Sequence, residues 1–182
     1  MRELALHILD IAQNSISAKA TLIKIEIEEY TAKNLIQIRI IDNGIGMSKE
    51  LLEKVTDPFI TTRKTRKVGL GISLFKAAAE RCGGHFEIRS EIGEGTEVCA
   101  TFERDHIDRA PLGNMPDTMV SLITANDQID YLYRHVFDDK EFVFDTKEIR
   151  KILGEVPLSN IQVIDWIHHY IKDGLKGLGI SF

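Results

Sequence analysis

Apolar residues recur with a helical period over the first eighteen positions. Leu4, Ile8 and Ile11 share one face, at spacings of four and three. His7, Asp10, Asn14 and Ser17 gather on another. The period then shortens to two. Ile23, Ile25 and Ile27 alternate with charged residues, as do Ile36, Ile38 and Ile40, which predicts two half-buried strands joined by a turn over residues 31–34. Ser48 is a good cap for a short helix. A second helix is predicted over residues 71–81, stopped by the pair Gly83-Gly84. Strands over 85–90 and 96–103 follow, joined through Gly93 and Gly95. Helices clustered on one face of a mixed, mostly antiparallel sheet satisfy this order, giving an α+β two-layer sandwich.

Beyond a joint at residues 106–117, which holds Pro111, Gly113 and Pro116 and has no period, the pattern changes. Residues 118–124 and 129–137 read as strands, with a turn at Asp138-Asp139 into 141–144. Asp145 or Thr146 caps a helix ending at Gly154. Ser159 caps another, with Ile161, Ile164, Ile167 and Ile171 on its buried side. The expected organisation is a unit over 1–105 and a small α/β C-terminal extension over 118–182.

Composition narrows the class. The chain has 182 residues, 43% hydrophobic and 28% charged, with a net charge of −5. These are the proportions of a globular protein, and they exclude disordered and repeat architectures. Residues 1–105 carry 15 basic and 16 acidic groups; residues 106–182 carry 8 and 12. The acidity sits mostly in the second part, and no nucleic-acid partner is expected without a basic face. Cys82 and Cys99 are too few for a disulfide scaffold and lack metal-ligand spacing. No secretory signal and no membrane-spanning run of about 20 apolar residues is visible. A cytoplasmic protein is expected.

Four segments carry candidate chemistry. In Asp10-Ile11-Ala12-Gln13-Asn14-Ser15, the carboxylate of Asp10 and the amide of Asn14 lie one turn apart on one helix face. Such a pair suits magnesium and a water, or simply the wet side of a helix. Asp42-Asn43-Gly44-Ile45-Gly46-Met47 directly follows an apolar strand. Its glycines permit close backbone approach to a ligand, and Asp42 can accept from a base amino group; a plain turn has the same chemistry. Gly69-Leu70-Gly71-Ile72-Ser73-Leu74 opens a helix, whose free N–H groups suit a phosphate. It matches neither the dinucleotide-binding glycine fingerprint nor the P-loop. Before it lies Thr61-Thr62-Arg63-Lys64-Thr65-Arg66-Lys67, a basic loop able to fold over that phosphate. The fourth segment is Gly93-Glu94-Gly95-Thr96, which alone is a hairpin turn.

In this order, with Asp57-Pro58-Phe59 between the second and third, the segments resemble the GHKL ATPase superfamily over residues 3–104. That superfamily includes gyrase, heat-shock-type chaperones, histidine kinases and MutL-type mismatch-repair proteins. Asp57-Pro58-Phe59-Ile60-Thr61-Thr62-Arg63 with Gly69-Leu70-Gly71-Ile72-Ser73 looks most like the histidine-kinase-like branch. Asn14-Ser15-Ile16-Ser17-Ala18 looks closer to MutL. The resemblance implies a Bergerat-type ATP-binding fold with ATP and Mg2+ as cofactors. It implies that Asn14 holds magnesium, Asp42 binds the adenine amino group with help from Thr96, and Gly44 and Gly46 let the backbone pass the nucleotide. Residues 60–68, with Thr61, Thr62 and Lys64, form the ATP lid, and Gly69, Leu70 and Gly71 sit at the phosphates.

Two departures shape the expected activity. Hydrolysing branches place Glu four residues before the asparagine; here Asp10 stands there, one methylene shorter, so hydrolysis through it is expected to be slow, with activation of a protein hydroxyl or support of the magnesium from behind its ligands as the alternatives. No histidine is followed by Glu or Asp in the usual phosphoacceptor pattern. His7 reads as a half-exposed helix histidine. The first expectation is therefore a stand-alone kinase acting in trans on a partner protein's Ser or His, a layout like that of anti-sigma-factor serine kinases. The alternatives are an ATP-gated switch with slow hydrolysis through Asp10, whose sign is ATP-dependent homodimerisation, and a non-catalytic interaction module.

Overall fold

The computed structural model describes residues 3–57 and 70–181. The chain folds in the order α1 (Leu4–Ser17), β1 (Leu22–Tyr30), β2 (Leu35–Asp42), α2 (Lys49–Val55), α3 (Gly71–Arg81), β3 (Phe86–Glu91) and β4 (Gly95–Glu103). It continues with α4 (Met115–Ala125), β5 (Asp130–Phe137), β6 (Lys140–Asp145), α5 (Thr146–Leu153) and α6 (Ile161–Gly177). The strands form one sheet in the order β3-β4-β2-β1-β5-β6. Only β1 and β5 pair in parallel. The others pair antiparallel, which makes the mixed, mostly antiparallel sheet of an α+β sandwich.

The alternation in the sequence decides the two faces. Ile23, Ile25 and Ile27 of β1 and Ile36, Ile38 and Ile40 of β2 point to the buried face, each at most 1% exposed. The other face carries charge in rows. Arg39 lies between Glu26 at 3.1 Å and Glu97 at 2.7 Å. Arg134 lies between Glu28 at 2.7 Å and Glu141. These half-exposed pairs contribute little individually, but they align three and then three neighbouring strands in register.

The C-terminal strands continue the sheet of the N-terminal unit. Tyr133 Oη lies 2.7 Å from His135 Nδ1, and His135 Nε2 lies 3.1 Å from Glu29 of β1. This row is buried and fully partnered, so it ties β5 to β1 without an orphaned polar group. A second tie lies at the start of α1. Its Glu3 cap offers no side-chain bond. The carbonyls of Pro111 and Leu112 instead accept from the N–H groups of Leu4 at 3.0 Å and Ala5 at 2.7 Å. The joint thus satisfies the helix start that the sequence leaves open.

Two expectations for the C-terminal half are corrected. Residues 118–124, expected as a strand, belong to helix α4. Asn114 caps it by accepting from Asp117 N at 3.0 Å, and Pro116 occupies the first turn. Met115, Met119 and Leu122 then fall on one fully buried helical face, which outweighs the β-branched content of the segment. Helix α6 is capped by Asn160, which accepts from Gln162 N at 2.9 Å. The Ser159 hydroxyl is turned instead to Asp127. Ile161 is 81% exposed, and the buried line is Ile167, Ile171 and Leu175. Among the described residues no helix is long and apolar enough to cross a membrane.

His7 also differs from expectation. It is 4% exposed and stacks on Phe75 with ring centroids 5.3 Å apart, inside a cluster completed by Phe86 and Phe102. Burial, reinforced by the Arg81 charge, lowers its pKa from 6.5 to about 4. A buried neutral histidine destabilises the fold on acidification, because between those values only the unfolded chain takes the proton. Unfolding free energy should therefore fall from pH 6.5 to 4 by about 3 kcal/mol more in the wild type than in His7→Leu. Parallel urea titrations at the two pH values check this; equal losses in both proteins would contradict it.

Candidate functional site

Asp42 ends β2 and stands directly opposite Thr96 of β4 in the strand register. Its carboxylate is 8% exposed and held from two sides. Ser15 of α1 donates its hydroxyl to Oδ2 at 2.5 Å, and the Gly44 N–H donates to Oδ1 at 2.8 Å. Two donors, one on each oxygen, fix the plane of the carboxylate. Thr96 Oγ1 lies 2.8 Å from Ser90 Oγ, which also accepts from Met47 N at 2.8 Å. The base of the site therefore sets two hydrogen-bonded groups, Ser15–Asp42–Gly44 and Met47–Ser90–Thr96, side by side across the β2–β4 pairing.

The loop after Asp42 is pinned along its length. Asn43 Oδ1 accepts from Thr21 N and Leu22 N, both at 2.9 Å. Ile45 N donates to the Ala18 carbonyl at 2.9 Å, and Gly93 N donates to the Ile45 carbonyl at 2.9 Å. Gly46 then takes a φ of +70°, where a Cβ would sit 1.9 Å from the Glu91 carbonyl oxygen. Only glycine fits both demands.

Asp10 and the start of α3 meet at the other side of the site. A Cβ placed on Gly71 would lie 3.1 Å from Asp10 Cβ and 3.5 Å from its Oδ2. The missing side chain lets the helix start sit against the carboxylate. The first turn of α3 has no side-chain cap from Leu70, which suits an anion at its N–H groups. Leu70 caps the helix through its backbone, with its side chain 54% exposed. Burial pushes the Asp10 carboxyl above its ordinary value. Asn14 follows one turn later on α1, partly buried, and its side chain has no hydrogen-bond partner among the described residues.

The structure therefore brings Asp42, Gly44, Gly46 and Thr96 together, and sets Asp10 against Gly71. Ser15, the immediate neighbour of Asn14, belongs to the first group through Asp42 and lies on α1, the helix that carries Asp10. Thr61, Thr62, Lys64 and Gly69, with the rest of the expected lid, lie outside the described residues. Among the described residues there is no cluster of three or more His, Cys, Asp or Glu able to hold a metal. Three contributors were not singled out in the sequence: Ser15, Asn43 and Ser90. Ser15 had a signal, since it continues the buried stripe of Leu4, Ile8 and Ile11 as a polar residue. A polar group on an apolar face must find a partner.

Comparison with known proteins supplies the family. The model of the histidine kinase-, DNA gyrase B-, and HSP90-like ATPase family matches residues 1–106. A putative sensor protein of Shewanella frigidimarina is 30% identical over 103 residues, 56% of this chain and 15% of that protein. Sporulation kinase D of Bacillus subtilis is 34% identical over 94 residues, 52% of this chain and 18% of that protein. The chain thus spans less than a fifth of either relative. A solved N-terminal domain of a DNA repair protein shares the fold, with a TM-score of 0.51 at 16% identity, covering 85% of this chain and 58% of that one. With more than half its length matched, this chain belongs to the histidine kinase-, DNA gyrase B- and HSP90-like ATPases.

Proposed function

We propose that this chain binds ATP with magnesium and transfers the terminal phosphoryl group to a partner protein in trans, in the cytoplasm. The observation that carries the reading is the buried Asp42 carboxylate, fixed by Ser15 and the Gly44 N–H beside Thr96. An acceptor so oriented suits the adenine amino group. Gly44 and Gly46 keep the nearby backbone free of side chains. The N–H groups at Gly71 would meet the phosphates, and Gly69, Leu70, Thr61, Thr62 and Lys64 are the further residues assigned to them.

The donor set also fits magnesium. Asn14 offers an amide oxygen with no hydrogen-bond partner among the described residues, and Asp10 a carboxylate one turn away. A hard ion that keeps several waters and bridges phosphates needs little more. Asn14 would hold it, and the bound ion would neutralise phosphate charge. Asp10 takes the proton from the attacking hydroxyl at Oδ2, a role served by a carboxyl whose proton affinity burial has raised. Residues 1–105 would be the nucleotide unit and 118–182 the part that meets the partner.

A second reading is favoured by the joint. Because the Pro111 and Leu112 carbonyls cap α1, a shift of that helix on nucleotide binding reaches the C-terminal half. That suits an ATP-gated switch with slow hydrolysis, forming homodimers in its ATP state. Asp10→Asn tests Asp10 as the base in either reading, while label found on a partner protein supports the kinase and label released as phosphate supports the switch. Phosphoryl transfer or hydrolysis from terminally labelled ATP should fall about 100-fold or more, with ATP affinity within about threefold of wild type. Unchanged turnover would remove Asp10 as the base. Bound ATP with no turnover in the wild type would leave the interaction module.

A further inference from the structure

We propose that Ser15 is a positioning residue that gives the site its selectivity for a base bearing a 6-amino group. The proposal rests on the ATP reading above and adds to it the origin of base discrimination. Ser15 is 3% exposed and has a single hydroxyl proton. Two acceptors lie within reach: Asp42 Oδ2 at 2.5 Å and the Ile11 carbonyl at 3.4 Å. The charged and nearer acceptor takes the proton.

The consequence is a carboxylate locked by two elements at once. Oδ2 is held from helix α1 by Ser15, and Oδ1 from the loop by the Gly44 N–H at 2.8 Å. Rotation of the carboxylate about its terminal torsion breaks both bonds. Two of its four acceptor positions are filled, and the remaining two accept from an amino group. The Ser15 proton, committed to Asp42, is not available to a base carbonyl. A base with an oxygen at that position meets acceptor against acceptor, and a base with only hydrogen there leaves the locked carboxylate unused. Rejection of an analogue lacking the hydrogen-bonding group is strongest where the polar partner is buried and fixed.

The test compares ATP with purine riboside 5′-triphosphate, which lacks only the 6-amino group. Both are titrated with magnesium into wild type, Ser15→Ala and Ser15→Thr. The wild type should favour ATP by about 30-fold, as expected for one hydrogen bond to a charged group. In Ser15→Ala the ratio should fall to about threefold, with affinity for purine riboside triphosphate within about twofold of wild type. Ser15→Thr, which keeps the hydroxyl, should restore most of the ratio. Ser15→Cys, similar in shape but a far weaker donor, should lose it like alanine and serves if the alanine variant does not fold. A wild-type ratio in the alanine or cysteine variant overturns the role of Ser15 and leaves the ATP site standing. Equal weakening of both nucleotides also overturns it, since a structural role alone would do that. A wild type that binds the two nucleotides equally overturns the base-recognition reading and this proposal with it.

Discussion

Gly46→Ala is expected to unfold at a temperature about 6–12 °C below wild type, a loss of roughly 3 kcal/mol for a chain of this size. Two costs combine. The φ of +70° is unfavourable for alanine by about 1 kcal/mol or more. The new Cβ would also lie 1.9 Å from the Glu91 carbonyl oxygen and 2.6 Å from its carbon, so backbone must move. Gly93 separates the two. It has a φ of +87° but no atom within 4 Å of its absent Cβ. Gly93→Ala should therefore show only the conformational part, about 1 kcal/mol. Thermal unfolding of both variants checks the difference, and equal losses would show that contact with Glu91 is unimportant.

Asp42→Asn should weaken ATP binding by about 100-fold while leaving the melting temperature of the nucleotide-free protein within a few degrees. The substitution keeps shape but converts one carboxylate oxygen into a donor. That donor faces either the Ser15 hydroxyl or the Gly44 N–H, both of which already donate at 2.5 and 2.8 Å. The Ser15 hydroxyl can turn to accept from that donor and give its own proton to the Ile11 carbonyl at 3.4 Å, but the amide then presents its NH2 group to the adenine amino group. Losing a hydrogen bond to a charged acceptor and leaving a buried donor unpaired together account for a factor of this size. Asn14 and Asp10 are untouched by the change, so magnesium dependence should persist in the residual binding.

The nucleotide-site half of the fold was legible in the sequence because its signals are local. The alternating isoleucines place β1 and β2, Ser48 caps α2 by accepting from Leu51 N at 3.3 Å, and Gly83-Gly84 ends α3. Asp42, Gly44, Gly46 and Thr96 stood out by residue type and order, and the strand register sets Asp42 against Thr96. What sequence did not disclose depends on distant partners. His7 reads as polar-face until Phe75 arrives from sixty-eight positions away to stack on it. The Asp42 lock needs Ser15, twenty-seven residues earlier. The α4 segment reads as a strand because Val120 and Ile123 favour strand locally, whereas burial of Met115, Met119 and Leu122 against the rest of the core decides the outcome. The parallel pairing of β5 with β1 has no local signature at all, since it joins residues more than a hundred positions apart.

Calorimetric titration of magnesium-ATP into wild type and Asp42→Asn decides whether ATP binds at Asp42. Saturable one-site binding to the wild type and about 100-fold weaker binding to the variant are expected. Equal affinity in the two proteins, or no heat of binding in a folded wild type, would contradict it.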